Sequence, residues 1–285
     1  MHWKIPTLSL AAAALAFELG CARESSSPLS ETEKLVAWCI VPFDAAKRGP
    51  EERAKMLSDL GIRRCAYDFR EEHVPQFEDE ILAYQKHGIE LFAFWAGHES
   101  AYRLFEKYDL HPQIWRTLRS VGEGSQEAKV AAAVDAMEAI AKRTGELGCE
   151  FGLYNHGGWG GEPANLVAVC EGLRKRGYDH VGIVYNWHHG HDHIEDWKAS
   201  LEQMKPYLIC LNLNGMNLGA EPKILTLGQG QHEREMLRIV EELGYDGPIG
   251  IIDHRNDLDA KIALSQNLEG LQRLRADIRK SASTR

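Results

Sequence analysis

From residue 35 onward, short apolar runs alternate with segments in which apolar side chains recur every three to four positions. The short runs are typical of buried β-strands, and the longer segments have the spacing of amphipathic helices. Glycines follow several helical segments, since glycine readily adopts the left-handed conformation that ends a helix. The predicted strands are 35–43, 62–69, 89–95, 114–118, 149–154, 181–185, 207–213 and 248–252, and the predicted helices are 50–60, 75–87, 101–108, 126–147, 163–176, 194–204, 233–243 and 258–278.

This alternation predicts the fold. Strands that alternate with helices pair in parallel through right-handed crossovers. Eight such units in about 250 residues predict an α/β fold, a single (β/α)8 TIM barrel over residues 35–285. A doubly wound open sheet is the alternative, but such sheets usually carry a G-x-G-x-x-G motif after the first strand, and this sequence has none there.

The first 34 residues have a different character. An apolar, Ala-rich run over 5–17 is too short to span a bilayer and is typical of a signal peptide. Leu19-Gly20-Cys21 resembles a bacterial lipobox, although Glu18 departs from that pattern. We therefore predict a lipoprotein-type signal peptide over 1–21, a Ser-rich tether over 22–34, and an exported, periplasmic or membrane-anchored protein that contacts the membrane only through a lipid at Cys21. A wrongly assigned start codon or a short amphipathic helix is the alternative.

Composition and charge exclude some classes of protein. The chain has 285 residues, 44% of them hydrophobic and 26% charged, and a formal net charge of −9. This is an ordinary globular composition, and its acidity argues against a nucleic-acid partner, which requires a basic face. The cysteines beyond Cys21 show no metal-binding spacing, so we expect buried thiols and no disulfide framework at Cys39, Cys65, Cys149, Cys170 and Cys210.

Polar side chains gather where the predicted strands end. In a parallel barrel these positions converge on the active site, whereas the opposite strand ends here carry mostly Gly, Lys and Arg. This asymmetry predicts an enzyme site. Its members are Asp44, Asp68, Arg70, Trp95, His98, His156, Trp159, Glu162, Asn186, His188, His189, His191, Asn212, Asn214, Asp253, His254 and Arg255.

Several of these residues have a simpler structural interpretation. A lone Asp after a strand, such as Asp44 or Asp68, commonly caps the next helix, and Asp192 is expected to do so before the sixth helix. The asparagines can hold loop backbone, and the tryptophans can belong to the core. Imidazoles at two neighbouring strand ends are harder to explain in this way, because they suit metal binding or acid–base chemistry.

These observations lead to assigned roles. We predict His156, Glu162 and His189 as catalytic acid–base groups, and Arg255 as the partner of an anionic or enolate oxygen. Tryptophans beside a polar rim equally suit a sugar, which is apolar on its faces and hydrogen-bonded at its edges. The predicted substrate contacts are therefore Trp95, Trp159, Asn186, His188, Asn212 and Asn214. The loop at Gly228-Gln229-Gly230 is either an oxyanion site at a helix start or a plain turn.

Four motifs then suggest a family. They are GLYNHGGW (152–159), YNWHHGH (185–191), LNLNGM (211–216) and GPIGIIDH (247–254). With these motifs, the chain from Leu35 onward resembles the xylose-isomerase-like TIM barrels of the sugar phosphate isomerase/epimerase superfamily. The resemblance implies one divalent cation on Glu, Asp, His and Glu at strand ends, positions that fall here at Tyr154, Asn186, Asn212 and near Asp253 or His254.

Neutral groups at those positions leave two possibilities for the metal. Either it is absent, or it has moved to imidazoles with Asp253, on His156, His189, Asp253 and His254. Manganese, cobalt or zinc would suit such ligands.

The expected function is an enzyme that acts on a small-molecule carbohydrate by removing a proton α to a sugar carbonyl. Its product arises either by isomerisation or epimerisation, or by elimination as in 3-keto-glycoside lyases and hydratases. A non-catalytic sugar-binding lipoprotein with a degenerate metal site is the alternative. A DNA-repair endonuclease of the same fold is disfavoured by the acidity of the chain, by the missing metal carboxylates and by the predicted export.

Overall fold

Eight parallel strands close into a barrel in the order β1 to β8, and β8 pairs with β1. The computed structural model describes Met1 and residues 32–119, 122–252 and 254–283. One helix follows each strand and covers the outside of the barrel. The predicted single (β/α)8 barrel is therefore confirmed, and the open doubly wound sheet is not observed.

The elements keep the predicted order and lie close to the predicted boundaries. The strands are β1 Leu35–Trp38, β2 Arg64–Tyr67, β3 Glu90–Trp95, β4 Gln113–Thr117, β5 Phe151–Tyr154, β6 Val181–Asn186, β7 Leu208–Leu213 and β8 Ile249–Ile252. The helices are α1 Pro50–Asp59, α2 Phe77–His87, α3 Glu99–Tyr108, α4 Gln126–Glu146, α5 Pro163–Lys175, α6 Trp197–Met204, α7 Glu233–Glu242 and α8 Ala260–Ser283.

The prediction was wrong at the ends of two elements. The first strand stops at Trp38 because Cys39 has a φ of 59°, which turns the chain out of the extended conformation. Helix α6 begins at Trp197 rather than at residue 194, since two short 3₁₀ turns occupy 187–189 and 191–193. Asp192 therefore does not cap that helix, whose N-cap position is held by Asp196.

Two apolar layers support the barrel. The larger layer lies between the strands and the helices and includes the buried residues of every helix. The smaller layer fills the barrel interior, where the rings of Trp38 and Trp115 lie 5.0 Å apart and those of Trp115 and Tyr154 stack at 6.2 Å. Large aromatic side chains thus fill the barrel below its carboxyl-terminal opening.

The cysteines follow the prediction. The five that lie in the described residues are all buried, and none of them is in a disulfide. Cys21 and the predicted signal peptide lie outside the described residues. Among the residues that the structure describes, no helix is long and apolar enough to cross a membrane.

Candidate active site

A cavity of about 250 Å³ opens at the carboxyl ends of the strands. Its floor is made by Trp38, Trp95 and Tyr154, which continue the aromatic filling of the barrel. Its walls carry polar groups that the sequence placed at strand ends, together with the thiol of Cys39. The predicted polar groups are Asp68, Arg70, His156, His189 and His254.

A second cavity, of about 590 Å³, lies between α3 and α4. It is lined by arginines such as Arg116 and Arg143 and by apolar residues of α4. It contains none of the imidazoles that follow β5, β6 and β8, and its guanidinium groups bond to Ala96 and Glu106. We place the candidate active site in the smaller cavity because the titratable groups converge there.

The imidazoles form a continuous group across three strand ends. The rings of His156 and His189 lie 4.2 Å apart, those of His189 and His188 4.6 Å, and those of His188 and His254 4.7 Å. At the far end, Nε2 of His254 lies 3.2 Å from the Cys39 thiol. The barrel has thus brought together side chains that are up to 215 positions apart in the sequence.

Burial keeps most of these rings neutral. It lowers the pKa of His188 to about 3 and that of His189 to about 2, and neighbouring imidazoles add to the effect. Burial also lowers the pKa of His254 to about 4, with a further contribution from the Arg70 guanidinium. Near pH 7 these rings therefore accept or donate hydrogen bonds as neutral groups.

Asp68 is the carboxylate of the cavity. It follows β2 and is only 3% exposed, and burial raises the pKa of its carboxyl to about 7 against the opposing effect of Arg70. Its Oδ1 accepts a long hydrogen bond of 3.4 Å from the Val41 backbone N–H. Asp68 does not cap a helix, because the chain enters α2 through a separate 3₁₀ segment over 71–76.

Solved structures share this architecture. The apo form of 3-keto-D-glucoside 4-epimerase YcjR from E. coli covers 86% of this chain and 99% of its own at 11% identity, with a TM-score of 0.62. A xylose isomerase-like TIM barrel protein from Mycobacterium smegmatis, in complex with magnesium, covers 86% and 97% at 12% identity, with a TM-score of 0.55. D-psicose 3-epimerase in the presence of D-fructose covers 86% and 98% at 12% identity, with a TM-score of 0.59.

This chain has the fold of the xylose isomerase-like TIM barrels. The resemblance seen in the sequence motifs is therefore confirmed at the level of the fold. No family model matches the sequence, and no curated protein matches it.

The residues at the expected ligand positions of a xylose isomerase-like barrel do not fit a divalent cation. The Tyr154 hydroxyl oxygen accepts hydrogen bonds from Asn186 Nδ2 at 2.5 Å and from Trp38 Nε1 at 3.3 Å. Burial raises the pKa of Tyr154 above its ordinary range, so the phenol stays protonated. Two neutral groups bonded to each other replace two anionic ligands, which is a poor donor set for a hard cation.

The remaining predicted ligands are the imidazoles and Asp253. His156, His189 and His254 do share the cavity, whereas Asp253 lies outside the described residues. Among the described residues, no group of three or more His, Cys, Asp or Glu side chains is arranged to hold a metal ion. A cation on these four residues stays a prediction.

Several predicted site residues do not line the cavity but hold its lining residues and nearby loops in place. Asn186 is fully buried and, besides holding Tyr154, accepts the backbone N–H of His188 at 3.0 Å. His188 is 6% exposed and, without lining the cavity itself, packs against the rings of the lining residues His189 and His254. Asn214 holds the loop after β7 through the carbonyls of Gly215 and Lys223, the structural role considered for it from the sequence.

Other predicted residues lie elsewhere on this face of the barrel. Glu162, at the start of α5, lies 3.2 Å from His193 and is half exposed, and it does not line the cavity. Trp159 donates to Gln126 at the start of α4. Asn212 is buried against β8, where it leaves no room for a side chain at Gly250. Arg255 is half-buried and is not among the lining residues of the cavity.

The glycine-rich loop before α7 is a turn closed by the chain itself. The Glu233 carboxylate is fully buried and accepts the backbone N–H groups of Gly228 at 3.1 Å and Gly230 at 2.6 Å, with Met216 on its other oxygen at 3.1 Å. These donors would have bound an oxyanion, so the plain-turn interpretation is the one observed.

Three lining residues were missed as site residues. Trp38 and Cys39 lie inside an apolar run, and Tyr154 was identified only as the replacement of an expected ligand. Period-two patterns do not separate the barrel interior from its outer face when both are apolar. No signal in the sequence would have found Trp38, since its role depends on closure of the barrel.

Proposed function

We propose that this chain is a carbohydrate-active enzyme that removes the proton next to the carbonyl of a sugar and returns it to give an isomer or epimer. The observation that carries the proposal is the cavity itself. An aromatic floor with polar walls matches a sugar ring, which has apolar faces and hydrogen-bonding edges. Neutral imidazoles and a carboxyl group beside that floor are the groups that proton transfer requires.

The comparisons support the same reaction class. Two structures with this fold are named as sugar epimerases, one for a 3-keto-D-glucoside and one for D-psicose. The predicted export of this chain favours free sugars or glycosides over phosphorylated sugars. The cavity of about 250 Å³ is smaller than the roughly 300–1,000 Å³ of pockets for drug-sized ligands, which favours a single sugar ring.

The side chains divide the work between binding and proton transfer. Trp38 and Trp95 offer apolar faces to the ring, and the Tyr154 hydroxyl, which already accepts two hydrogen bonds, donates its own proton towards the sugar. His156 and His189 lie together on the wall formed after β5 and β6, within reach of a ring on this floor. No step of this proposal passes through a metal ion.

The first test uses His189→Ala. We expect turnover to fall by about 10²–10⁴-fold, the usual contribution of a group that transfers a proton. The assay follows deuterium entry next to the carbonyl by proton NMR, with D-fructose, D-psicose, D-tagatose and methyl 3-keto-D-glucoside in D₂O. His111→Ala is the matched control, because His111 is exposed at the other end of the barrel, before β4.

The same assay separates the alternatives. A wild-type exchange rate in His189→Ala would contradict the role of that imidazole in proton transfer. Sugar binding without exchange across the panel would favour a binding protein, and an unsaturated product would indicate elimination. Dialysis against a chelator, followed by manganese, cobalt or zinc, shows whether a cation on the imidazoles takes part.

A further inference from the structure

Asp68 has a hydrogen-bonding deficit that the fold does not explain. Its side chain is buried and lines the cavity, yet within the described part of the chain its Oδ2 has no hydrogen-bond partner. Its other oxygen accepts the long bond from Val41, and the backbone N–H of Asp68 itself adds a local hydrogen bond to the carboxylate. Leaving a buried carboxylate oxygen unpaired costs free energy, so such an atom in a cavity indicates a group that completes its bonding with a ligand.

Asp44 shows what a structural carboxylate of this barrel looks like. It follows β1 and is 6% exposed, similar to Asp68. Its Oδ1 accepts the backbone N–H groups of Ala46 and Ala260, both at 3.1 Å, and its Oδ2 accepts that of Arg48 at 3.2 Å. The Arg48 guanidinium bonds both oxygens at 2.9 and 3.0 Å. Asp44 is thus fully paired by the protein, and Asp68 is not.

The order of the strands in the barrel also fixes the side of the cavity on which Asp68 lies. In a closed barrel of eight strands, β2 lies opposite β6, four strands away in either direction. His189 follows β6 and His156 follows β5, so the imidazoles face Asp68 across the cavity. A sugar ring on the aromatic floor is therefore flanked by a carboxylate on one side and by imidazoles on the other.

We infer that Asp68 is a catalytic base of this site, taking the sugar proton from the face opposite His156 and His189. The inference rests on the proposed function and deepens it. The bond between the sugar carbon and its hydrogen breaks, and the proton passes to the carboxylate. The electron pair moves onto the carbonyl oxygen, which accepts a hydrogen bond from the Tyr154 hydroxyl. A proton relayed from solvent through the imidazole side returns to the same carbon, and the Asp68 carboxyl releases its own proton to solvent, which gives the opposite epimer.

The electrostatic surroundings agree with this role. Burial raises the pKa of the Asp68 carboxyl to about 7, and Arg70 and, more weakly, Arg53 oppose the shift. The other titratable groups beside it, Tyr67 and Tyr154, have pKa values raised by burial and are neutral near pH 7. Burial also lowers the pKa of His189 on the facing wall to about 2 and that of His254 to about 4, so both rings are neutral near pH 7. A base with a pKa near neutrality removes a proton and releases it again efficiently.

The decisive variant is Asp68→Asn, whose amide oxygen still accepts the Val41 N–H. We expect kcat to fall at least 10²-fold with KM nearly unchanged and the unfolding temperature maintained. Wild-type kcat should fall as the pH drops below about 7, because the protonated carboxyl cannot accept a proton. Asp44→Asn is the control, and it should lower the unfolding temperature while the folded enzyme keeps its kcat.

Deuterium exchange then tests the geometry. From the epimer whose hydrogen faces Asp68, the variant Asp68→Asn should lose exchange, whereas His156→Ala/His189→Ala should still exchange but form no epimer. From the other epimer the two results should be reversed. Exchange that survives in Asp68→Asn from both epimers overturns the inference and leaves the proposed function standing. Absence of exchange in the wild type across the panel overturns both.

Discussion

At the scale of single residues, His188 shows how a buried imidazole of the site makes the stability of the fold depend on pH. Its ring lies between those of His189 and His254, and burial lowers its pKa from 6.5 to about 3. Below pH 6.5 the unfolded chain binds a proton that the folded chain refuses until about pH 3. The stability contributed by the neutral ring is therefore complete above pH 6.5 and is lost as the pH falls towards 3.

We predict that acid destabilises the protein through these imidazoles. Between pH 7.5 and pH 5, His188 should remove about 2 kcal/mol from the free energy of unfolding, at about 1.4 kcal/mol per pH unit below 6.5. His188→Phe keeps a ring but does not titrate, so its loss of stability over this range should be smaller by that amount. Urea unfolding at both pH values measures it. Equal losses in both proteins would show that His188 is not held neutral.

The positions of the site residues were predictable from the sequence, but the directions of their side chains were not. Position after a strand end correctly placed His156, His189 and His254 on one face of the barrel. It did not determine the direction of each side chain, which depends on the loop. After His156 the chain turns through Gly157 and Gly158, with φ values of 80° and 60°, and the following residues reach the outer helices rather than the cavity.

At the scale of elements, the strands carry close-packing constraints that support the cavity floor. Gly152 of β5 lies inside the barrel, where an added Cβ would come within 2.6 Å of Val184 and 2.9 Å of Trp115. At Gly250 of β8, the Asn212 side-chain amide fills the space that an added Cβ would need. Glycine at such points lets large aromatic side chains fill the interior from the neighbouring strands.

We predict that Gly152→Ala destabilises the protein by about 1–3 kcal/mol, the usual cost of overpacking a core. Because the added methyl group presses on Trp115, which stacks on Tyr154, activity should fall as well. Gly161→Ala is the control, since the nearest atoms to its Cβ are at 3.8 Å. Thermal and urea unfolding of both variants give the comparison. Equal stability of the two would contradict the packing argument.

At the scale of the whole molecule, the N-terminal segment carries the prediction of where the protein is located. The structure describes the barrel, whereas the lipobox-like residues around Cys21 lie outside the described residues. We propose that Cys21 carries a lipid and holds the barrel at a membrane surface. The tether of residues 22–34 would then let the barrel stand away from the bilayer.

This proposal predicts a location. Full-length protein expressed in a Gram-negative host should sediment with the membranes and be released by detergent, whereas Cys21→Ser should be found in a soluble fraction. Mass spectrometry of the mature N-terminus identifies the modified cysteine. Full-length protein that is soluble with an intact residue 1 would exclude export by this route.

The sequence by itself determined the number, order and type of the elements, because helical and strand periodicities record which side chains each element buries. It also determined which face of the barrel is polar, because every strand end carries its own residues to that face. Closure of the barrel decided the rest. It set Asp68 opposite His156 and His189 and brought Tyr154 into hydrogen-bond contact with Asn186. It also placed Trp38 at the bottom of the cavity. These relations join residues from different strands, and only their shared geometry brings them into contact.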